Sequence, residues 1–358
     1  MQTQKKSDVA PPSNMLLWVH LARIISVLGV ISIHVAYPLT AKWGEISTKW
    51  WLIAEAANAF GRFSVPLFFA LSGFLLLSRP EPVSSFFRKR FGKVVWPLLA
   101  WSVIYVIWAN YWGERHDTFT SAIFSILSGP VADHLWFLYT LIGLYLTVPI
   151  LWKMLQNDEE NKLLLYFLGL WFVFVPLKNI VTMMFAIDIG FDFPLAGQYL
   201  GYFLLGHWLG SKKMDPKRHL AAILLFFIAV GLAIYGNYAR SLAAGRFDNF
   251  FDNYLGLLIF IEVASMLVFL PGLEDSLKRI PLMGQRLLLT LGSASYGIYF
   301  VHLMFIEAFR RGYLGFKLSA TSLHPLYGIP LTILAVFGAS LLVTLLLKSI
   351  PILKKIVP

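Results

Sequence analysis

The chain has 358 residues, 58% hydrophobic and 14% charged, with a mean hydropathy of +0.69. A soluble domain carries about 25% charged residues, so a soluble globular protein is excluded. The absence of cysteine rules out disulfides, thiolate nucleophiles and Cys-based metal sites. The net charge of +11 has no basic soluble segment to present it to nucleic acid, and reads as loop charge on a membrane protein.

Residues 1–15 are polar and read as a cytoplasmic tail. The apolar run that follows is too long for a signal-peptide core, so it reads as a retained first span. Hydropathy then marks ten spans, near 16–38, 57–78, 94–112, 134–152, 163–180, 195–210, 220–238, 254–271, 288–306 and 326–347. The sixth is short. Segment 118–131 is too polar and short to cross, and reads as an interfacial or re-entrant piece. With the N-terminus inside, most of the 30 Lys and Arg fall on cytoplasmic segments. The expected fold is therefore all-α: a polytopic membrane domain of about ten transmembrane helices over 16–347, a cytoplasmic tail over 348–358, both termini in the cytoplasm and no soluble domain.

Ionisable groups inside spans are costly and tend to face a cavity or a partner. Arg23 and His34 both lie in the first span. Eleven residues turn a helix about 20° past three full turns and rise about 16 Å, so the two share one face, Arg23 near the cytoplasm and His34 well inside the bilayer. This suits an anionic cytosolic ligand whose reactive end reaches His34. The alternative is an Arg that snorkels and a His that bonds a neighbouring helix. Arg62, near the outer end of the second span, is expected to meet a sugar or phosphate, or to pair with Glu55. Arg88, Lys89, Arg90 and Lys93 cluster before the third span, where they read either as topology-setting charge or as a phosphate clamp. His134 stands near the outer face. His302 lies in the ninth span, and Glu262 is a further acid in the eighth. No GxxxxGK[ST], HExxH or GxSxG motif occurs, and the His residues lack metal-ligand spacing, so ATP drive, zinc proteolysis, esterase chemistry and a metal site are not expected.

Four pieces in order carry a resemblance: Arg23-x10-His34, RFSVPLFFALSGFL at 62–75, HLWFLY at 134–139, and SYGIYFVH at 295–302 before Arg310–Arg311. Together they resemble the acyltransferase family 3 membrane proteins, nearest to the subgroup that O-acetylates enterobacterial common antigen. The resemblance implies a short acyl-CoA, acetyl-CoA first, as cytosolic donor, and a glycan or lipid-linked saccharide hydroxyl as acceptor at the outer face of a bacterial inner membrane. It implies His34 as the catalytic residue with Arg23 supporting it. Arg88, Arg90 and Lys93 are then expected on the CoA phosphates, Arg62 and His134 on the acceptor side, and His302 shaping the central cavity. One large branch of the family carries a C-terminal soluble hydrolase-like domain that this sequence lacks, so the membrane part is expected to act alone or to pass its acyl group to a partner. The competing reading is a transporter of a glycan or lipid-linked sugar. It predicts related halves, and the two halves show no convincing match.

Overall fold

The computed structural model describes residues 16–112, 117–158, 160–186, 198–212 and 214–358. The expected tail 1–15 and the first residues of the expected sixth span, 195–197, lie outside the described residues. In chain order the helices are α1 (Leu17–Thr40), α2 (Thr48–Gly61), α3 (Ser64–Leu77), α4 (Val83–Arg90), α5 (Trp96–Tyr111), α6 (Phe119–Ser128), α7 (Trp136–Gln156) and α8 (Lys162–Phe172). They continue with α9 (Lys178–Phe185), α10 (Leu200–Gly210), α11 (Pro216–Ala244), α12 (Leu257–Phe269), α13 (Glu274–Arg279), α14 (Leu282–Arg311) and α15 (Pro325–Ser349). The described residues contain no strand.

Nine stretches among the described residues are long and apolar enough to cross a bilayer. They match nine of the ten expected spans, some with earlier starts. The second begins at Thr48 rather than near 57, because the Ser47 hydroxyl caps the helix by accepting from the Trp50 amide at 3.4 Å. The remaining one, the expected sixth span, is α10; it shows only 11 helical residues, about 16 Å at the helical rise, and is shielded by close packing on α3. At their crossing a Cβ on Gly73 would strike the Phe203 backbone, so only glycine permits the approach. Segment 119–128 is helical but buries no residue, as expected of an interfacial piece. The outside of the bundle is as apolar as its core: Ile107, Leu146, Ile150, Phe227, Ile228 and Leu334 all stand exposed, as residues facing acyl chains do.

Three prolines stand four residues beyond ionisable groups. Pro66 has no N–H to give the carbonyl of Arg62, and the second span breaks there into α2 and α3. Pro97 stands four beyond Lys93, and the helix widens into a π segment over Phe91–Val95. Pro38 stands four beyond His34, inside the last turns of α1.

At the centre, α1 packs against α2, α3, α14 and α15. A Cβ on Gly61 would lie 2.5 Å from the Gly29 carbonyl, so this glycine brings α2 hard against α1. The Ser32 hydroxyl donates to the Ala57 carbonyl at 2.7 Å in the same contact. The helix that carries Arg23 and His34 is therefore enclosed on most sides, and both side chains are held at fixed depth.

Candidate active site

A cavity of about 610 Å³ opens at the lysine- and arginine-rich end of the bundle, within the size range of small-molecule sites. Arg79, Lys89, Arg90 and Lys93 line its mouth with Glu81 among them. Glu81 pairs with Lys89, and with Arg90 at 3.6 Å; the Lys89 ammonium holds its carboxyl below the usual range. Arg23 of α1 forms part of the wall, with Tyr145 of α7 and Tyr296 of α14. The Arg23 guanidinium makes no ion pair or hydrogen bond with a described residue. The deep end is closed by Phe68, Phe137 and Tyr299.

Beyond that end lie three histidines from three distant parts of the chain. The rings of His34 and His302 are centred 5.3 Å apart, and those of His302 and His134 5.2 Å apart. Tyr299 touches both His134 and His302, and its hydroxyl donates to the His134 carbonyl. Tyr299 and His302 share a face because they stand three apart on α14. His134 sits on the short 3-10 turn Asp133–Leu135 that leads into α7, against the ring of Tyr105.

The hydrogen bonds fix one tautomer. His302 Nδ1 lies 2.6 Å from the Tyr299 carbonyl. A carbonyl only accepts, so Nδ1 carries the proton and Nε2 of the neutral ring holds a lone pair. That Nε2 is buried and has no partner among the described residues. His134 and His302 are closed off, whereas His34 keeps part of its surface open. Tyr37 and Ala41, three and seven residues on, are exposed. An accessible stripe thus runs along one face of α1 from His34 to the end opposite the cationic cavity.

Arg62 has a different setting. It pairs with Asp252 at 3.1 Å and donates to the Asn58 side chain at 2.8 Å. Asn58 and Asn237 both donate to Asp252, at 2.6 and 2.9 Å, and Asn237 also donates to Glu55 at 2.7 Å. The guanidinium lies over the Tyr254 ring. All of these side chains are buried or nearly so.

The structure thus brings together His34, His302 and His134, and it lines one cavity with Arg23, Arg90 and Lys93. Arg62 is committed to an internal network near them. Arg88 is exposed and is absent from the cavity wall, where Arg79 and Lys89 stand instead. Positions 88 and 90 are about 200° apart around α4, so they cannot both face inward. Sequence reasoning missed Tyr299, for which the three-residue spacing to His302 was a usable signal. It also missed Asp252 and Asn237, for which there was none. Among the described residues no three acidic or imidazole groups are close enough to hold one metal ion.

A family model described as an acyltransferase domain matches residues 16–348. No curated protein and no solved structure matches the chain.

Proposed function

The chain belongs to acyltransferase family 3, a membrane acyltransferase, and we propose that it carries a short acyl group, acetyl first, from cytosolic acyl-CoA to a hydroxyl of a surface or lipid-linked glycan in a bacterial inner membrane. Enterobacterial common antigen is the acceptor suggested by the sequence resemblance. The observation that carries this reading is the pair of approaches to one imidazole cluster: a cationic cavity from the lysine-rich end, and the accessible stripe of α1 from the other.

In this reading Arg79, Lys89, Arg90 and Lys93 bind the donor phosphates, as clustered cations do. Arg23, with no counter-ion, meets a polar part of the extended donor arm. Tyr299, at the closed deep end of the cavity, moves aside to let the thioester reach His34. The lone pair of a His34 ring nitrogen attacks the thioester carbonyl, the C–S bond breaks, and the CoA thiolate takes a proton from cytosolic water. The other His34 nitrogen gives its proton to Nε2 of His302, whose tautomer is set to accept it. The acceptor hydroxyl then attacks the acyl carbon. The N–C bond breaks, the ester forms, and the hydroxyl and His302 protons restore His34 and leave one proton for solvent. Direct attack by the hydroxyl with His34 as base needs one cavity shared by donor and acceptor. In the acyl-histidine route the donor and the acceptor need not occupy the site together, so each can approach His34 from its own side.

The test is thiol release from acetyl-CoA by the purified protein in nanodiscs. The chain has no cysteine, so the signal comes from CoA alone. Wild type is expected to release thiol, with acetyl label on His34 when no acceptor is present, and His34→Ala to release none while remaining folded. Equal release by His34→Ala overturns the assignment of His34; absence of release with a range of glycan acceptors, together with no CoA binding, overturns the function.

A further inference from the structure

A second cavity, of about 940 Å³, lies beside the first at the lysine-rich end. It is a groove between the π segment that leads into α5 and the chain after α15. That chain turns through the short helix Leu353–Lys355 and folds back onto α5. The Trp101 indole donates to the Ile356 carbonyl at 2.8 Å, and Val357 is fully buried, so the returning chain is a fixed wall. Two aspects of the groove stand in contrast. Its surface is apolar, with Phe91 and Trp96 on one side and Ile352 on the other, and these are 61%, 51% and 77% exposed. Its rim carries Lys93, Lys354 and Lys355, none of which makes an ion pair or side-chain hydrogen bond with a described residue.

We propose that this groove binds one anionic phospholipid of the cytoplasmic leaflet, its phosphate on Lys354, Lys355 and Lys93 and an acyl chain along Trp96, Phe91 and Ile352. The argument is one of complementarity and depth. Exposed apolar side chains of this size in water would be an uncompensated cost, whereas at the membrane interface they meet acyl chains, and Trp is favoured at headgroup level. Unpaired lysines at the same level attract anionic headgroups. The lysine-rich end is also the one the positive-inside rule assigns to the cytoplasmic leaflet. A zwitterionic lipid brings a phosphate and a chain, but its own cation opposes the three lysines, and a free anion brings no chain. Lys93 lines both cavities, so the bound lipid lies directly beside the donor site.

The experiment is native mass spectrometry of the purified chain titrated with phosphatidylglycerol, or with phosphatidylcholine of the same acyl chains. Wild type is expected to retain one phosphatidylglycerol in preference to phosphatidylcholine. Lys354→Gln/Lys355→Gln should weaken phosphatidylglycerol by about 30-fold and leave phosphatidylcholine unchanged, with Lys355→Gln alone giving about fivefold. Ile352→Ser should weaken both lipids. Both lysines are exposed, so folding should survive, which a thermal midpoint checks. Equal retention of the two lipids, or a double variant that holds phosphatidylglycerol like wild type, overturns the proposal. So does full competition by soluble glycerol phosphate, which would make this an anion site without a chain. Displacement by CoA would assign the groove to the donor and overturn it equally.

Discussion

The two arginines inside the spans share a residue type and differ in almost everything else. Arg62 is enclosed by Asp252, Asn58 and the Tyr254 ring, with Glu55 and Asn237 one bond further out. Arg23 stands in a cavity wall with no counter-ion among the described residues. A buried charge that is paired and hydrogen-bonded contributes to structure, and removing one partner strands the others. A charge held open to a cavity has been left for something that arrives. The comparison teaches that an intramembrane charge is assigned by its partners and not by its depth.

The largest expected effect breaks the enclosed side. Arg62→Met strands Asp252 and Glu55 in the protein interior and should cost about 3–5 kcal/mol, read as a large fall in thermal midpoint and in yield of folded protein. Adding Asp252→Leu should recover part of that loss, and a double variant no more stable than the single would show that the network is not the anchor. Arg23→Met should do the reverse: little change in thermal midpoint, with donor binding weakened at least tenfold, as expected for a charge-assisted contact of about 1.5–3 kcal/mol. A large stability loss with normal donor binding would erase the contrast. Smaller is the effect of Glu81, which pairs with Lys89 and Arg90, two of the cations proposed to bind the donor phosphates. Glu81→Gln should tighten donor binding by about two- to fivefold. The Glu81 carboxyl is held below its usual range by Lys89, so the pair persists through neutral pH and is lost only as pH falls through that lowered value. The advantage of the variant should therefore hold across neutral pH and shrink only in acid. Smallest is Arg88→Gln, for which donor affinity should be unchanged, while Arg90→Gln weakens it severalfold. Equal effects would restore Arg88 to the clamp.

Hydropathy reads the spans well because lipid demands long apolar runs with every backbone group satisfied internally. It marks α10 as short, as a helix shielded by α3 can be. The shared face of Arg23 and His34 was legible because both lie on one helix, where periodicity fixes direction. The role of Arg62 was not. Its partner Asp252 lies 190 residues away, in the short turn Phe250–Asp252, and nothing local announces that meeting. The convergence of His134 and His302 on His34 is tertiary in the same sense. The separation of Arg88 from the cavity wall was legible too, since helix geometry alone sets it apart from Arg90.

The closed end of the cationic cavity also has an electrical meaning. Phe137, Tyr299, His134 and His302 form a layer of tightly buried rings between the two approaches to His34. Such a layer insulates, so the transmembrane voltage drops across it rather than along the wet cavity. In the proposed cycle the uncharged acyl group crosses that drop freely. A proton or a charged intermediate does not, and pays about 2.3 kcal/mol per elementary charge for each 100 mV. The rate of acyl transfer in an energised membrane therefore reports whether charge moves through the ring layer during the cycle.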